Sequence, residues 1–280
     1  MSIHIEWRGT VIDNTAGSVG FVDLRGWFES PDTRQSDTDR GGRHGQIAGQ
    51  LLASGRIVEV DWLILDGQTS TLVAMMAATS PDENPVEETL LVSGFDGFPA
   101  QTINARPTRW TPLTVADFVK GKRQGTWQFK ATDPRLYNAD ASSVTTQLAT
   151  SAGSGLAFPL GWPADFGPLP AGGQLAATNI GSASTWPVFI LNGPLTGPVI
   201  TELATGRQIR FASTFVIAAG QQVVIDTDAR TVLLNGVSRR DQVTAAQWFP
   251  IGGGQTVQIG FTAALAETGL LTVQWRDAWM

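Results

Sequence analysis

Cysteine is absent from this chain, and lysine, histidine and tyrosine are close to it: three lysines (Lys120, Lys122, Lys130), two histidines and one tyrosine in 280 residues. The lack of cysteine excludes disulfides, thiolate metal sites and cysteine nucleophiles, and fits folding in a reducing compartment. His4 and His44 stand alone. A zinc site usually needs three or four N, O or S ligands, and a serine triad needs a histidine beside its nucleophile. His44, in a glycine-rich charged loop next to Arg43, reads as a solvated side chain. Charge of either sign is scarce at 16%, and the net charge is −6 with a pI near 4.9. A free-standing duplex-DNA binder shows a basic excess or stripe, and this sequence has neither. No run approaches 18 apolar residues, so no spanning helix is expected. Glu6 and Arg8 interrupt MSIHIEWRGT, which does not read as a signal peptide. There is no Walker-type loop or GxGxxG for a nucleotide, and Asp37-Thr38-Asp39 is too short for a calcium loop.

What is present suits a folded β protein. Apolar residues make up 42% of the chain, with 31 glycines and 15 prolines. The basic residues are nearly all arginine, which is enriched at interfaces where lysine is depleted. A GC-rich codon bias is the plainer explanation of the same preference. Broad uncharged surfaces fit an assembly subunit.

Residues 2–12 alternate, with Ile3, Ile5 and Trp7 on one side, and read as one half-buried strand. Val19 to Phe28 reads as another. Glu29 to Gly45, ESPDTRQSDTDRGGRHG, carries both charge signs, and its proline and glycines argue against a regular element; it reads as a long loop or extended arm. Long loops in compact domains tend to be functional or disordered. Gln46 to Leu65 carries two strands. Thr69 to Ala78 reads as a helix capped by Thr69 or Ser70. Thr89 to Val92, Gln101 to Arg106, Thr108 to Val115 and Gly125 to Thr132 read as strands. Asn138 to Gly173 reads as a connection that packs Phe158, Trp162 and Phe166 against the second domain. Beyond it come short, regularly spaced strands: 174–179, 188–191, 199–203, 207–211, 215–217, 222–226, 231–234, 254–262 and 269–276. Turns such as Asn235-Gly236 separate some of them, the pattern of a sandwich or jelly roll.

Few residues offer chemistry. A glycosidase needs two acids about 5–10 Å apart. Glu202, Asp226, Asp228, Glu267 and Asp277 are candidates, but Asp226 and Asp228 flank a turn that explains them, and none sits in a setting that would raise its pKa. No catalytic, cofactor-binding or metal-binding residue is assigned. The chain has ten tryptophans. Sugars stack on exposed tryptophan faces, so Trp162, Trp186 and Trp248 are candidate stacking residues of an alternative, carbohydrate-binding module. The competing reading places tryptophans in cores and seams; Trp275, alternating with Leu271 and Val273, supports it.

Several stretches, in order, resemble the distal tail proteins of long-tailed (siphovirus) bacteriophages: RGWFESPDTRQSDTDRGGRHG followed by GRIVEVDWLILDG, then WQFKATDPRLY, GLAFPLGWPADFG, NIGSASTWPVFILNGP, VVIDTDARTVLLNG and VQWRDAWM. The resemblance implies a mainly β chain. A mixed β domain with one helix (1–137) would form a ring or belt, and a galectin-like antiparallel β-sandwich (138–280) would point outward. It implies a structural, non-enzymatic subunit of a tail tip or baseplate, forming a homohexameric ring. The ring would join the tail tube protein to tip, tail-associated and receptor-binding proteins used in host attachment. Genome DNA would pass through its channel without specific binding. No cofactor and no membrane are implied, and the expected location is the virion tail tip, assembled in the host cytoplasm. Asp32, Arg34, Asp37, Asp39, Arg40 and Arg43 are the candidate inter-subunit or tube contacts, because their arm is too long and polar to be merely a turn.

Overall fold

A computed structural model describes residues 3–13, 17–80, 83, 86–112, 123–149, 173–265 and 267–280. These fall into two units, 1–140 with Met280, and 141–279. The expected fold class is observed: antiparallel sheets throughout, with one α-helix among the described residues.

The first unit opens with a hairpin rather than the single expected strand. His4–Trp7 (β1) and Thr10–Asp13 (β2) pair across Arg8-Gly9, both at positive φ (48° and 73°). Two left-handed residues are what a two-residue hairpin turn requires, but Arg-Gly is not the Asn-Gly that announces one. Val19–Arg25 is β3. Four short strands follow, Thr33–Gln35 (β4), Thr38–Asp39 (β5), Gln46–Ile47 (β6) and Leu51–Ala53 (β7), then Arg56–Ile64 (β8) and the helix α1, Thr69–Ala78. Glu88–Ser93 (β9), Gln101–Pro112 (β10), Gln124–Ala131 (β11) and Leu136–Asn138 (β12) complete it.

The main strand order is β2-β1-β9-β10-β11-β8-β3, with β12 also paired to β10. The two strands expected over 101–115 are one bent strand as far as Pro112, and 113–115 lie outside the described residues. Its first half pairs with β9 and its second with β11, with a register shift at Thr108. A bulge bends its strand and raises the local twist, so the sheet wraps until β2 and β3 run alongside each other. The interior holds Trp7, Trp62, Trp127, Phe129, Val58 and Val60, all essentially inaccessible. Trp7 meets Phe129 at 4.8 Å and Trp127 meets it edge-on at 6.0 Å.

The helix buries Leu72 and Met75. Its last turn leaves carbonyls without intrahelical partners, and two indoles supply them: Trp7 Nε1 donates to Ala78 O (2.9 Å) and Trp127 Nε1 to Met75 O (3.1 Å). The expected cap is corrected at the other end. Gln68 is the N-cap residue and makes no side-chain cap bond. Asp66 works from outside the helix instead, accepting from Gln68 N (2.8 Å) and the Thr71 hydroxyl (2.7 Å), bonds that lower its pKa.

The second unit is an antiparallel sandwich. Its strands are Ser142–Gln147 (β13), Gln174–Thr178 (β14), Val188–Asn192 (β15), Leu195–Thr196 (β16), Val199–Glu202 (β17), Gln208–Phe211 (β18), Val216–Ile217 (β19), Gln222–Asp226 (β20), Thr231–Leu234 (β21), Val237–Ser238 (β22), Val243–Ala246 (β23), Thr256–Thr262 (β24) and Leu270–Trp275 (β25). One sheet runs β13-β25-β15-β20-β21-β22 and the other β14-β24-β17-β18-β23, with β16 and β19 paired separately. Burial alternates along most strands, as period-two side chains between two faces demand. Phe189, Leu191, Ile209, Phe211, Ile225 and Phe261 are among the residues filling the space between. Asn235-Gly236 forms the expected turn, at φ 47° and 83°. Ser142–Gln147 is a strand where the sequence suggested connection; five of its six residues are polar, which hides it. Phe158, Trp162 and Phe166 lie outside the described residues.

The NIGSAST stretch is held by Asn179, which is fully buried. Its amide nitrogen donates to Ala183 O (2.7 Å), Ile251 O (3.2 Å) and Gly252 O (3.2 Å). Its oxygen accepts from Gly181 N (3.0 Å) and Ala278 N (3.3 Å). A buried amide with every site in use fixes its surroundings.

Candidate functional site

The segment read from sequence as a loop is a projecting hairpin, and this corrects the expectation that proline and glycine exclude regular structure there. Thr33, Arg34 and Gln35 pair with Ala53, Leu52 and Leu51. Further out, Thr38 and Asp39 pair with Ile47 and Gln46, and the tip closes with Arg40 N on Gly45 O (3.2 Å). Every residue from Asp32 to Leu52 is exposed. At ~3.3 Å per residue the arm reaches roughly 30 Å.

Side chains brace the gap between its two ladders. Asp37 accepts from Gly49 N (2.8 Å), and Ser36 Oγ accepts from Gln50 N (2.9 Å). Asp39 accepts from the Gln46 amide (2.9 Å). Asp32 contributes its carbonyl, to Ser54 N (2.6 Å). Two of the three candidate aspartates therefore use their carboxylates inside the arm. The guanidinium groups of Arg34, Arg40 and Arg43 have no ion-pair partner among the described residues. The arm thus offers free positive charge together with Ile47, Leu51 and Leu52, which are 58%, 62% and 45% exposed. The six candidate contact residues all lie on this one element.

Arg56 fixes its root. This side chain is 2% exposed. Nη1 donates to Gly26 O (2.8 Å), Trp27 O (2.9 Å) and Glu29 O (2.7 Å), and Nε to Pro134 O (2.8 Å). Burial pushes its pKa down and the Glu29 charge opposes that. Gly26 sits at φ 75°, and a Cβ there would collide with Ile57 O. Trp27 is buried, with its indole on the Gln101 side chain (3.2 Å). On the preceding residue, Arg25 grips Asp61 with two bonds (2.8 and 3.0 Å), which raises the arginine's pKa. The arm leaves the core of the first unit through this hydrogen-bonded root. Sequence inspection missed Arg56; an arginine opening an apolar strand, RIVEVDWLIL, is the one signal that could have pointed to it.

Three of the five candidate acids are occupied structurally, and Glu267 accepts from the Thr196 hydroxyl (3.0 Å) through one oxygen while the other is buried without a partner among the described residues. Glu202 is 5% exposed; burial would raise its pKa, but bonds from Arg207 Nε (2.6 Å) and the Thr205 hydroxyl outweigh this and lower it. Asp226 accepts from Asp228 N and Ala229 N, both at 2.9 Å, as a turn aspartate does. Asp277 accepts from Ile180 N (3.1 Å). Among the described residues no group of three or more His, Cys, Asp or Glu could hold a metal ion. Of the tryptophans weighed for sugar stacking, Trp162 lies outside the described residues. Trp186 and Trp248 are half-buried, and the Arg240 guanidinium covers a face of Trp248 at 5.1 Å. Trp275 is buried, with its indole on Thr178 O (2.9 Å). A groove of about 530 Å³ crosses the outer face of the five-stranded sheet, lined by Thr201, Gln208, Arg210, Thr244 and Thr262 among others; no tryptophan is among its described lining residues.

Residues 180–279 match the family described as siphovirus-type tail component, C-terminal domain. No curated protein matches the chain. Among solved structures, the Dit protein of bacteriophage SPP1 superposes with a TM-score of 0.68 at 14% identity, covering 99% of both chains. That protein is described as a paradigm of the hub adsorption apparatus in phages infecting Gram-positive bacteria. A chain of the phage P2 baseplate, in its activated conformation with Ca, superposes with a TM-score of 0.53 at 13% identity, covering 98% of this chain and 97% of that one.

Proposed function

Since residues 180–279 match the siphovirus-type tail component model and the chain shares the fold of SPP1 Dit along its length, we propose that this protein is a structural subunit of a phage tail tip or baseplate. Six copies close a ring that joins the tail tube to tip and receptor-binding proteins, and DNA leaves through its channel. The belt is the first domain, read as 1–137, and the galectin-like sandwich, read as 138–280, faces outward to the proteins that meet the host. The ring belongs to the virion tail tip and is assembled in the host cytoplasm. Its work is geometric rather than catalytic.

The observation that carries this reading is the arm. A two-stranded ribbon alone in water is marginal, yet this one extends far from its own core and exposes three large aliphatic side chains. Such an element gains its stability from a partner. Contacts between unlike patches close a ring when the rotation between neighbours completes a circle. The net charge of −6 supports the channel role: a basic wall would hold phosphates, whereas like charge does not.

Deletion of Asp32–Arg43 is the test. The variant should fold, with unchanged tryptophan emission and amide protection, and elute as a monomer where the intact chain elutes as a ring. Ring elution by the deletion variant would refute the role given to the arm.

A further inference from the structure

Four phenylalanines gather on the surface of the first unit at the root of the arm. Phe28 packs edge-on to Phe95 (5.1 Å, 76°) and tilted against Phe98 (4.9 Å, 52°), and Phe21 meets Phe95 edge-on (5.9 Å, 85°). Phe28 and Phe98 are 48% and 54% exposed. Exposed phenylalanines scattered singly need no explanation, but a cluster rimmed by polar groups marks an interaction surface. Three exposed acids neighbour these rings along the chain: Asp23 is two residues from Phe21, Glu29 follows Phe28, and Asp96 follows Phe95 in GFDGFP. Asp23 shares Arg25 at 3.4 Å and the Glu29 charge also acts on Arg56, while Asp96 has no ion-pair partner among the described residues.

The occupant that fits is apolar and cationic. The arm has both properties, in Ile47, Leu51 and Leu52 and in the unpaired Arg34, Arg40 and Arg43. A molecule's own arm does not cover its own cluster, because Asp32 to Leu52 is exposed throughout. The complement must come from another molecule, and a heterologous contact needs two such unlike patches on one chain. We propose that the Phe21–Phe28–Phe95–Phe98 cluster is the seat for the arm of a second copy of this chain. Aliphatic side chains on one face of the arm, Leu51 among them, lie on the rings, and its arginines meet Asp23, Glu29 and Asp96. This rests on the ring reading and adds to it the receiving surface. The geometry has a further consequence. Phe28 lies within Gly26–Glu29, the stretch whose carbonyls Arg56 holds, so the arm given and the arm received are anchored on one rigid joint. That joint sets the angle between neighbours.

The absence of cysteine makes the test clean. Proteins carrying Leu51→Cys or Phe98→Cys alone should remain unlinked under mild oxidation. Mixed, they should form a disulfide dimer, and a chain carrying both should give a ladder of covalent multimers. Charge reversal on the seat, Glu29→Arg with Asp96→Arg, should weaken assembly at least tenfold, and Arg40→Glu with Arg43→Glu in the arm should restore it. Rings of intact protein with no Leu51–Cys to Phe98–Cys link, and normal assembly by Phe28→Ser/Phe98→Ser, would overturn the seat and leave the ring reading standing. An intact chain that stays monomeric would remove both. A cross-link from Phe98→Cys to a tube or tip protein instead of to the arm would assign the cluster to that partner and refute this proposal.

Discussion

Replacing Arg56 by methionine keeps the length and apolar stem of the side chain and removes its fork of donors. Four carbonyls, of Gly26, Trp27, Glu29 and Pro134, then lose a charge-assisted bond of 2.7–2.9 Å. Each bond to a charged group is worth about 1.5–3 kcal/mol. They are not additive, and deleting the guanidinium also relieves the cost of burying it. A net loss of roughly 3–5 kcal/mol follows, the range for removing one member of a buried polar set. With a urea slope near 2 kcal/mol/M, the midpoint of the first unit should fall by roughly 2 M. Urea titration read by hydrogen exchange separates the two units: β8 and β11 should lose protection early, while β15 and β20 melt as in the parent. Arg56→Lys, with a point charge instead of a fork, should recover only part of the loss. A midpoint within ~0.3 M of the parent would refute the claim that this residue holds the root.

Other outcomes follow from the same geometry. Asn179→Ala strands three carbonyls and two amides and should cost the sandwich about 3 kcal/mol or more in thermal or urea melts. Gly236→Ala meets no atom but must hold φ 83°, so it should cost about 1–2 kcal/mol, all of it backbone strain. Glu202 has a folded pKa below its unfolded value near 4.3. Its contribution is therefore present above about pH 4.3 and fades as acid protonates the folded carboxylate. Glu202→Gln should remove this loss of sandwich stability below about pH 4.3, while Arg207→Met, which leaves burial opposed only by the Thr205 hydroxyl, should weaken or reverse it.

The second unit was the more legible half because its signals are local. Gln222–Asp226 and Thr231–Leu234 were bounded correctly, and Asn235-Gly236 announced its own turn. The helix over Thr69–Ala78 also followed from its own residues. The misses share a cause: the deciding contact lay far away in sequence. The Arg8-Gly9 turn is dictated by the pairing it serves. β4 and β5 are polar strands held by Ser36, Asp37 and partners 12 to 14 residues on, whereas β6 and β7 fall within the strand expected from Gln46. Thr69 and Ser70 look like caps, but Asp66 reaches the Thr71 hydroxyl first. Of the candidate site, the arm was visible as too much polar chain for a turn. Its free arginines, its spent aspartates and the phenylalanine cluster at its root were not, because Phe21, Phe28, Phe95 and Phe98 come from two distant segments and each alone looks like core.

Native mass spectrometry of the purified chain at micromolar concentration tests the central claim most directly. Closure by six copies predicts a species of about 180 kDa, six times the 29.8 kDa chain, converting to subunits when the arm is removed. A lone 29.8 kDa species at every concentration, with and without tail tube protein, would contradict it.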